Sequence, residues 1–326
     1  MPRYFVTGAT GFIGGELTKQ LIGRGHQVVA LVRSPEKAAL LKTLGVELHA
    51  GDITDRESVR GPMEGVDGVF HVAAWYRVGV TDSAAEAVNV GGTRNVLETA
   101  RDLAIPRVVY TSTVGVFGDT HGQLVDETYY ARGPFLTEYD RTKWLAHYEV
   151  AVPLARAGLP VVIAMPGLVY GPGDTSAVHD ALVQLLRGRL FITPSRVTFG
   201  WGYVEDVGRG LRQAMESGRP GESYLMTGPV HTYQDAFAIA ARIAGKRPPP
   251  LHPPPVLMRG VAGVTSLLER MNVRPPYSSA TLRLMAGTTW IGSSARAERE
   301  LAFTARPLEE GLRHTIEHEM RQLGMS

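Results

Sequence analysis

Two side chains one helical turn apart could carry out proton transfer. Tyr139 and Lys143 form a Tyr-x-x-x-Lys pattern within residues 137–157, which are predicted to be a helix. A spacing of four places both side chains on one helical face. A free phenol, with a pKa of about 10, is a poor acid or base at neutral pH, but a neighbouring ammonium favours the phenolate. The pair therefore predicts an acid–base site; the alternative is a surface helix that carries both residues by chance.

A glycine-rich turn near the start of the chain could hold the phosphates of a dinucleotide. Gly8, Gly11 and Gly14 follow an apolar run at 4–6 and open an amphipathic segment at 12–21. In a strand–turn–helix unit, glycines let the backbone approach a pyrophosphate, and the helix N-terminus attracts the anion. The pattern alone is weak, because such turns also serve as plain connections. Its place between the right elements strengthens it.

A third polar group follows the strand predicted at 107–111. Ser112 and Thr113 come directly after Thr111, so three hydroxyl groups cluster at the carboxyl end of this strand. In parallel sheets, ligands bind at that end.

The elements that must position these groups alternate along the first half of the chain. Strands are predicted at 4–6, 27–33, 46–50, 68–73, 107–111 and 160–164. Helices are predicted at 12–21, after Ser34-Pro35, after a cap at Thr54 or Asp55, at 84–103 and at 137–157. This order predicts an α/β fold of Rossmann type, a doubly wound parallel sheet with right-handed crossovers.

The alternation loosens after residue 166. Helices are predicted at 176–187, 204–216, 233–244 and 308–323, a short strand at 223–226, and a stiff extended stretch around the prolines at 248–250 and 253–255. We expect residues 1–170 to form the nucleotide-binding domain, with further sheet elements from 200–230. Residues 171–326 would mainly form a smaller, mostly helical, substrate-binding cap.

Composition narrows the class of protein. The 326 residues are 44% hydrophobic and 20% charged with a net charge of +2, which is ordinary for a globular protein and implies no nucleic-acid partner. The absence of cysteine excludes disulfides, thiol catalysis and a cysteine-ligated metal, and we predict no metal site. No apolar run approaches the roughly 20 residues of a membrane span. The N-terminus runs straight into a strand and leaves no room for a signal peptide, so we expect a cytoplasmic protein.

Taken in order, the motifs resemble those of the extended short-chain dehydrogenase/reductase family, within the NAD-dependent epimerase/dehydratase superfamily. The resemblance covers about residues 3–245 and a Leu-Glu-Glu-Gly-Leu run at 308–312. It rests on T-G-A-T-G-F-I-G at 7–14, G-D-I at 51–53, H-V-A-A at 71–74, N-V-G-G-T at 89–93, T-S-T-x-x-V-F-G at 111–118, Y-x-x-x-K at 139–143, P-G-L-V-Y-G-P at 166–172 and Y-V-E-D-V at 203–207.

The resemblance implies catalytic roles for three residues. Tyr139 would be the acid/base on the substrate oxygen, and Lys143 would hold the nicotinamide ribose and lower the tyrosine pKa. Thr113 would hydrogen-bond the reacting oxygen, with Ser112 as the alternative if the register shifts by one.

The resemblance also implies a cofactor site along the carboxyl edge of the sheet. Asp52 and Ile53 would flank the adenine, and His71 and Asp206 would have structural roles, the histidine satisfied by the backbone. The remaining implied cofactor contacts lie in the glycine-rich turn, at strand ends and in the catalytic pair: Gly8, Thr10, Gly11, Phe12, Ile13, Gly14, Ala73, Ala74, Thr111, Tyr139, Lys143, Pro166, Leu168 and Val169.

The end of the second strand favours NADP(H) over NAD(H). In this fold an acidic residue there binds the adenosine-ribose hydroxyls and would repel a 2′-phosphate. Val32 occupies that position, and Arg33 follows it. A guanidinium pairs strongly with phosphate. The alternative is that Arg33 merely begins a solvated loop.

The absence of certain acidic and basic side chains narrows the range of reactions that the protein could catalyse. Dehydratases of the family carry an acidic pair straight after the threonine, whereas Val114 and Gly115 follow Thr113. Met165 replaces the usual arginine before Pro-Gly, and no cationic partner for a diphosphate substrate is evident. An apolar group in the second half suits a hydrophobic substrate or, with equal weight, forms the core of the cap: Trp201, Val256, Leu257, Met258, Val261, Leu267, Leu268, Met271 and Trp290.

We therefore expect an NADPH-dependent reductase of a ketone or aldehyde, or the reverse alcohol dehydrogenase, nearest the dihydroflavonol reductase and 3β-hydroxysteroid dehydrogenase branch. Tyr76, Arg77, Phe135 and Trp201 are the candidate substrate contacts. The alternatives are a sugar-nucleotide or hopanoid-associated sugar epimerase with a tightly held cofactor, and a non-catalytic cofactor sensor. A homodimer through the helices at 84–103 and 137–157 is suggested by analogy alone.

Overall fold

Seven parallel strands form the centre of the fold. The computed structural model describes residues 1–76, 83–271 and 278–325. Its strands are Arg3–Thr7 (β1), Gln27–Val32 (β2), Glu47–Ala50 (β3), Gly68–His71 (β4), Val108–Thr111 (β5), Val161–Pro166 (β6), Leu168–Tyr170 (β7), Thr198–Tyr203 (β8), Ser223–Met226 (β9), Val230–Thr232 (β10) and Thr289–Trp290 (β11). The main sheet has the order β3-β2-β1-β4-β5-β6-β9, and all its neighbours pair in parallel. The predicted Rossmann-type sheet is confirmed.

Helices cover both faces of this sheet. They are Phe12–Gly23 (α1), Ala39–Thr43 (α2), Arg56–Met63 (α3), Ser83–Glu86 (α4), Thr93–Asp102 (α5), Glu138–Leu145 (α6), Val152–Arg156 (α7), Ala177–Leu186 (α8), Val204–Ser217 (α9), Tyr233–Ile243 (α10), Pro255–Arg270 (α11), Ser279–Leu284 (α12), Ala295–Leu301 (α13) and Leu308–Gln322 (α14). π-helical segments at Ala87–Gly92 and Ala146–Ala151 join α4 to α5 and α6 to α7. Each pair is one helical run, as predicted, but the wider turns were not anticipated.

The strands are buried on both faces, which explains their apolar runs. Along β5, Val108 packs into the core on one side of the sheet and Val109 into the core on the other. This alternation follows from the two-residue period of a strand. The sheet is therefore a rigid platform whose carboxyl edge is fixed from both sides.

A second, smaller sheet was not predicted. Its central strand, β8, pairs with β7 and β11 in parallel and with β10 in the antiparallel direction. A third core beside it includes Trp201 of β8 and Phe237 of α10. In contrast, β9 extends the main sheet and α9 packs against α1, so these later elements belong to the main sheet and the layer that covers it.

The apolar residues singled out in the second half were interpreted either as the lining for a hydrophobic substrate or as the core of the cap. Neither interpretation holds for all of them. Trp201 and Trp290 are buried. The extended stretch ends at Pro255, the first residue of α11, and from there on the apolar residues lie largely in solvent, with Val256, Leu257 and Met271 all exposed.

The backbones of the two sheets are in direct contact where β9 ends beside β8, and one glycine makes this contact possible. A Cβ at Gly228, just after β9, would overlap the backbone carbonyl of Trp201. We expect Gly228→Ala to lower the free energy of unfolding by about 3 kcal/mol or more, because the clash is with backbone that cannot rotate away. Urea unfolding followed by circular dichroism measures the loss.

Gly23→Ala is the matched control, since nothing lies within 4 Å of a Cβ at this helical position. It should leave stability unchanged or raise it by up to about 1 kcal/mol. Equal effects of the two substitutions would contradict this account of the sheet junction.

Candidate active site

The glycine-rich turn crosses the carboxyl ends of β1 and β4. Gly8 has φ +76, in the left-handed region, and a Cβ there would lie 2.7 Å from the backbone N of Ala73. A Cβ at Gly14 would overlap the Gly8 carbonyl. The Gly11 N–H donates to the Gly8 carbonyl at 2.9 Å, and α1 begins at Phe12. The first N–H groups of a helix have no partner within it. The turn thus fits a pyrophosphate.

A buried chain of side chains ties this turn to the sheet. His71 Nδ1 lies 2.8 Å from Thr7 Oγ1, and its Nε2 lies 3.0 Å from Thr93 Oγ1. Thr7 Oγ1 also accepts from Ala73 N at 3.2 Å. Burial, with the nearby Lys143 charge, lowers the pKa of His71 to about 3, so the imidazole is neutral. His71 is structural, as predicted, but hydroxyl groups satisfy it rather than the backbone.

Lys143 is buried and held by β5. Its Nζ donates to the Thr111 carbonyl at 2.8 Å and to the Tyr110 hydroxyl at 3.1 Å. The Tyr110 ring in turn stacks on His71 with centroids 5.6 Å apart. Burial lowers the pKa of Lys143 to about 7. The lysine can therefore gain or lose a proton near neutral pH.

Tyr139 faces Thr113 and Tyr76. Its ring meets Tyr76 edge to face at 4.9 Å, and the Thr113 hydroxyl lies beside its phenol. Burial raises the pKa of Tyr139, the neighbouring Tyr76 and Asp140 add to the rise, and the Thr113 hydroxyl opposes it. The phenol is thus protonated in this structure. The predicted lowering of its pKa by Lys143 is not seen here, because the ammonium group is directed to Thr111 and Tyr110.

Ser112 has a different partner from the one predicted. Its Oγ lies 2.8 Å from Nδ1 of buried His147. This leaves Thr113 as the hydroxyl beside Tyr139 and corrects the alternative register. Burial and the Lys143 charge lower the pKa of His147 to about 3. His147 escaped the sequence analysis, although its spacing of four from Lys143 could have revealed it.

Asp140 is a second residue that the sequence analysis missed. Its Oδ2 accepts from the Thr137 hydroxyl at 2.7 Å, and its Oδ1 would lie 2.9 Å from a Cβ at Gly115. Burial raises the pKa of Asp140 to about 6. A carboxyl group that titrates near neutral pH therefore lies beside both Tyr139 and the turn that follows Thr113.

Asn89, in the first π-helical segment, was also missed. Its amide binds both backbone groups of Trp75, accepting from N at 2.7 Å and donating to O at 3.1 Å, and it donates to Thr142 Oγ1 at 2.9 Å. It thereby links the loop after β4, next to Tyr76, to α6, the helix that carries Tyr139 and Lys143.

The structure brings most predicted cofactor residues to the carboxyl edge of the main sheet. Arg33 is exposed just after β2, and no ion pair or hydrogen bond engages its guanidinium in the described part of the chain. Asp52 Oδ1 accepts from Thr54 N and Oγ1, and Ile53 is buried beneath Gly92. The other members of the set lie at the ends of β4, β5 and β6 and in β7: Ala73, Ala74, Thr111, Pro166, Leu168 and Val169.

Two predicted substrate contacts, Trp201 and Phe135, pack against other side chains and backbone of the protein. Trp201 is 1% exposed, and its indole N–H donates to the His231 carbonyl at 3.1 Å, so it belongs to the core of the second sheet. Phe135 packs against Trp144 with ring centroids 5.7 Å apart. Tyr76 does lie at the site, and Arg77 falls outside the described residues.

The fold and this site agree with what the chain resembles. Residues 4–226 match the model of the NAD dependent epimerase/dehydratase family. Sterol demethylase protein B of Methylococcus capsulatus is 34% identical over 308 residues, which cover 91% of this chain and 92% of that protein. A putative dihydroflavonol 4-reductase of Synechocystis is 34% identical over 255 residues, 74% of this chain and 72% of the relative. The crystal structure of gox2253 superposes with a TM-score of 0.87 at 30% identity and full coverage of both chains.

The chain therefore belongs to the NAD-dependent epimerase/dehydratase family of extended short-chain dehydrogenases/reductases. It is an NAD(P)-dependent oxidoreductase. No helix among the described residues is long and apolar enough to cross a membrane.

The raised pKa of Asp140 makes a stability prediction with a definite sign. Its folded pKa, about 6, lies above the usual value of 3.8, so the folded state binds this proton more tightly. The contribution of Asp140 to stability is thus full below the unfolded pKa of 3.8 and is lost as the pH rises through about 6. We expect Asp140→Asn to gain stability relative to the native protein over that interval, by up to about 3 kcal/mol. Urea unfolding across the pH range measures the difference.

Asp126→Asn is the control of opposite sign, because hydrogen bonds from Thr128 lower the pKa of this exposed carboxyl group. Its contribution is present above the unfolded pKa and lost as the pH falls, so the variant should lose stability relative to the native protein at neutral pH. A difference between Asp140→Asn and the native protein that stays constant with pH would contradict the burial of the charge.

Proposed function

We propose that this protein is an NADPH-dependent carbonyl reductase, or the reverse alcohol dehydrogenase, acting on a small hydrophobic substrate. One observation carries the proposal: a protonated Tyr139 phenol lies beside the Thr113 hydroxyl, on the catalytic helix whose lysine is anchored at the end of β5. A phenol and a hydroxyl can both donate hydrogen bonds to one carbonyl oxygen. That arrangement suits the reduction of a ketone or aldehyde.

A bound nicotinamide cofactor would supply the hydride transfer to or from the substrate carbon, and the glycine-rich turn and Lys143 would hold it. The Thr113 hydroxyl donates a hydrogen bond to the substrate oxygen, and Tyr139 gives that oxygen its proton as the carbon–oxygen double bond becomes a single bond. The phenolate left on Tyr139 is stabilised by the ammonium form of Lys143, which the new negative charge favours. In the reverse direction, Tyr139 takes the proton from the alcohol.

The surroundings of Thr113 favour reduction over elimination. Val114 and Gly115 occupy the two positions after it, so neither supplies an acid or base. Asp140 fills the space beside Gly115, but one of its oxygens already accepts from Thr137. The names of two relatives, one with a sterol and one with a dihydroflavonol, support a hydrophobic substrate.

Arg33 supports the choice of NADPH. It follows β2, whose neighbour β1 leads into the glycine-rich turn, and its exposed guanidinium has no partner among the described residues. A 2′-phosphate on the adenosine ribose would supply one. Val32, which precedes it, offers no carboxylate for ribose hydroxyls.

Replacing the proton donor tests the reaction. We expect Tyr139→Phe to lower kcat for NADPH oxidation by roughly 10²- to 10⁴-fold, the usual contribution of a positioned acid, with cofactor affinity almost unchanged. The assay follows NADPH absorbance with a panel of aromatic, alicyclic and aldehyde carbonyls. Tyr130→Phe, which removes the hydroxyl of an exposed tyrosine and keeps the ring that packs on Trp144 and Tyr148, is the matched control.

Other outcomes would point to the alternatives. Sugar-nucleotide interconversion without net NADPH oxidation would replace the reductase with an epimerase. Tight cofactor binding without turnover of any substrate would indicate a sensor.

Replacing Arg33 tests cofactor choice. We expect Arg33→Ala to weaken NADPH binding about ten- to a hundredfold, the cost of one charge-assisted hydrogen-bonded contact, and to leave NADH binding unchanged. Fluorescence titration with each cofactor measures both affinities, and Lys37→Ala controls for loss of a nearby exposed charge. An equal loss for both cofactors would show that Arg33 does not read the 2′-phosphate.

A further inference from the structure

Helix α11 presents an apolar surface to solvent. Six of its apolar residues, including the one that caps its C-terminus, are exposed: Val256, Leu257, Val261, Val264, Leu267 and Met271. At 3.6 residues per turn, all six lie within an arc of about 140°. The buried residues of the helix, Ala262 and Thr265, lie on the opposite side. The helix therefore packs against the protein through small residues on a narrow face, and its large apolar side chains point outward.

Further exposed apolar residues lie where the chain enters this helix. Ile192 and Leu251 form an isolated β-bridge, and both are exposed, as is Phe191. The Ser195 hydroxyl donates to the Pro253 carbonyl at 2.9 Å, which holds the 191–196 segment against the approach to α11. Monomeric proteins rarely expose contiguous apolar surface of this extent without a use for it.

The charges around this surface are mostly of one sign. From residue 246 to 283, the described residues include five basic side chains and one acidic side chain: Lys246, Arg247, Arg259, Arg270, Arg283 and Glu269. The carboxylate of Glu269 accepts from Ser279 N at 2.8 Å and from its hydroxyl at 2.6 Å. The whole chain is nearly balanced, with 34 basic and 32 acidic residues. The excess of positive charge is therefore local to α11 and its neighbours.

We propose that α11 binds the surface of an anionic lipid bilayer. Its apolar arc would lie between the headgroups and the acyl chains, in the plane of the surface, with the flanking basic residues at the level of the anionic headgroups. Arg270 lies beside the arc on the helix, where its long side chain can reach the headgroups while its stem stays in apolar surroundings. Arg259 lies near the same edge, but its guanidinium donates to the Ala286 carbonyl at 3.4 Å and lines a cavity beneath the helix. A second copy of the chain fits less well, since a two-fold interface would place this basic surface against itself.

The surface also lies near the catalytic helix. A cavity of about 400 Å³ beneath α11 is lined by Arg259 and Gly263 of that helix and by Leu136 and Asp119. Leu136 directly precedes Thr137, the N-cap of the helix that carries Tyr139. A membrane-dissolved substrate would thus reach the protein close to its active site. This last point depends on the proposed function, whereas lipid binding itself does not.

Flotation of the full-length protein with lipid vesicles tests the proposal. The protein should float with vesicles of equimolar phosphatidylcholine and phosphatidylserine, and much less with phosphatidylcholine alone. Val264→Ser and Leu267→Ser, at 62% and 59% exposed side chains, should each weaken binding about tenfold. Leu124→Ser is the matched control at a side chain that is 62% exposed on another part of the surface.

A second set of variants tests the contribution of positive charge to lipid binding. Arg270→Gln should weaken binding to the anionic vesicles about fivefold, and added salt should weaken it further, whereas Arg321→Gln on α14 should have little effect. In the absence of vesicles, all these variants should keep the circular dichroism spectrum of the native protein, because the substitutions are on the surface. They should also keep its rate of NADPH turnover, because α11 takes no part in the proposed reaction.

Three results would overturn lipid binding. They are no flotation with either vesicle, flotation that survives the substitutions in α11, and equal flotation with neutral and anionic vesicles. Dimers in sedimentation velocity that the α11 substitutions dissociate, without vesicle binding, would assign the surface to a second copy instead. Because flotation needs no substrate, an inactive protein that floats would separate this proposal from the proposed function.

Discussion

The burial of Lys143 is the constraint on which the site depends. A buried ammonium is costly unless hydrogen bonds replace its hydration, and here the Thr111 carbonyl and the Tyr110 hydroxyl do so. These contacts hold α6 to the end of β5. Tyr110 stacks on His71, and His71 joins Thr7 and Thr93. The glycine-rich turn and the catalytic helix are thus parts of one polar network that crosses β1, β4 and β5.

This network sets the protonation states at rest. Two neutral histidines, His71 and His147, flank a lysine whose pKa is about 7, and the phenol of Tyr139 keeps its proton because burial disfavours the phenolate. Removing the phenolic proton would place a negative charge near that lysine and so favour its ammonium form. In the proposed reaction, Tyr139 would therefore act first as an acid, and Lys143 would gain charge as Tyr139 loses its proton. The sequence spacing alone suggested the reverse, a lysine that ionises the tyrosine in advance.

The main sheet and the glycine-rich turn could be predicted because each depends on local pattern, whereas the place of Thr113 beside Tyr139 was inferred from the family resemblance. Apolar runs mark β1 to β6, and a spacing of four marks Tyr139 and Lys143. The second sheet could not be predicted, because β7 and β11 are three and two residues long and depend on partners distant in the chain. The Ser112–His147 contact likewise requires the π-helical segment at Ala146–Ala151, which apolar periodicity does not reveal. Trp201 was proposed as a substrate contact for a related reason. The strand β8 was not recognised, and sequence alone does not distinguish a buried tryptophan of a strand from a tryptophan that lines a binding site.

The same reasoning links the substrate to the outward face of α11. Met165 is buried in β6, where a cationic side chain would be needed for a diphosphate, and its side chain packs into the core instead. The positive charge that the second half does carry is concentrated around α11, outside the site. A charged, water-soluble substrate would need the opposite distribution, with cations in the site and a polar exterior around its mouth. If both proposals hold, an apolar substrate that arrives from a lipid surface would account for the buried methionine at 165 and for the basic, apolar exterior.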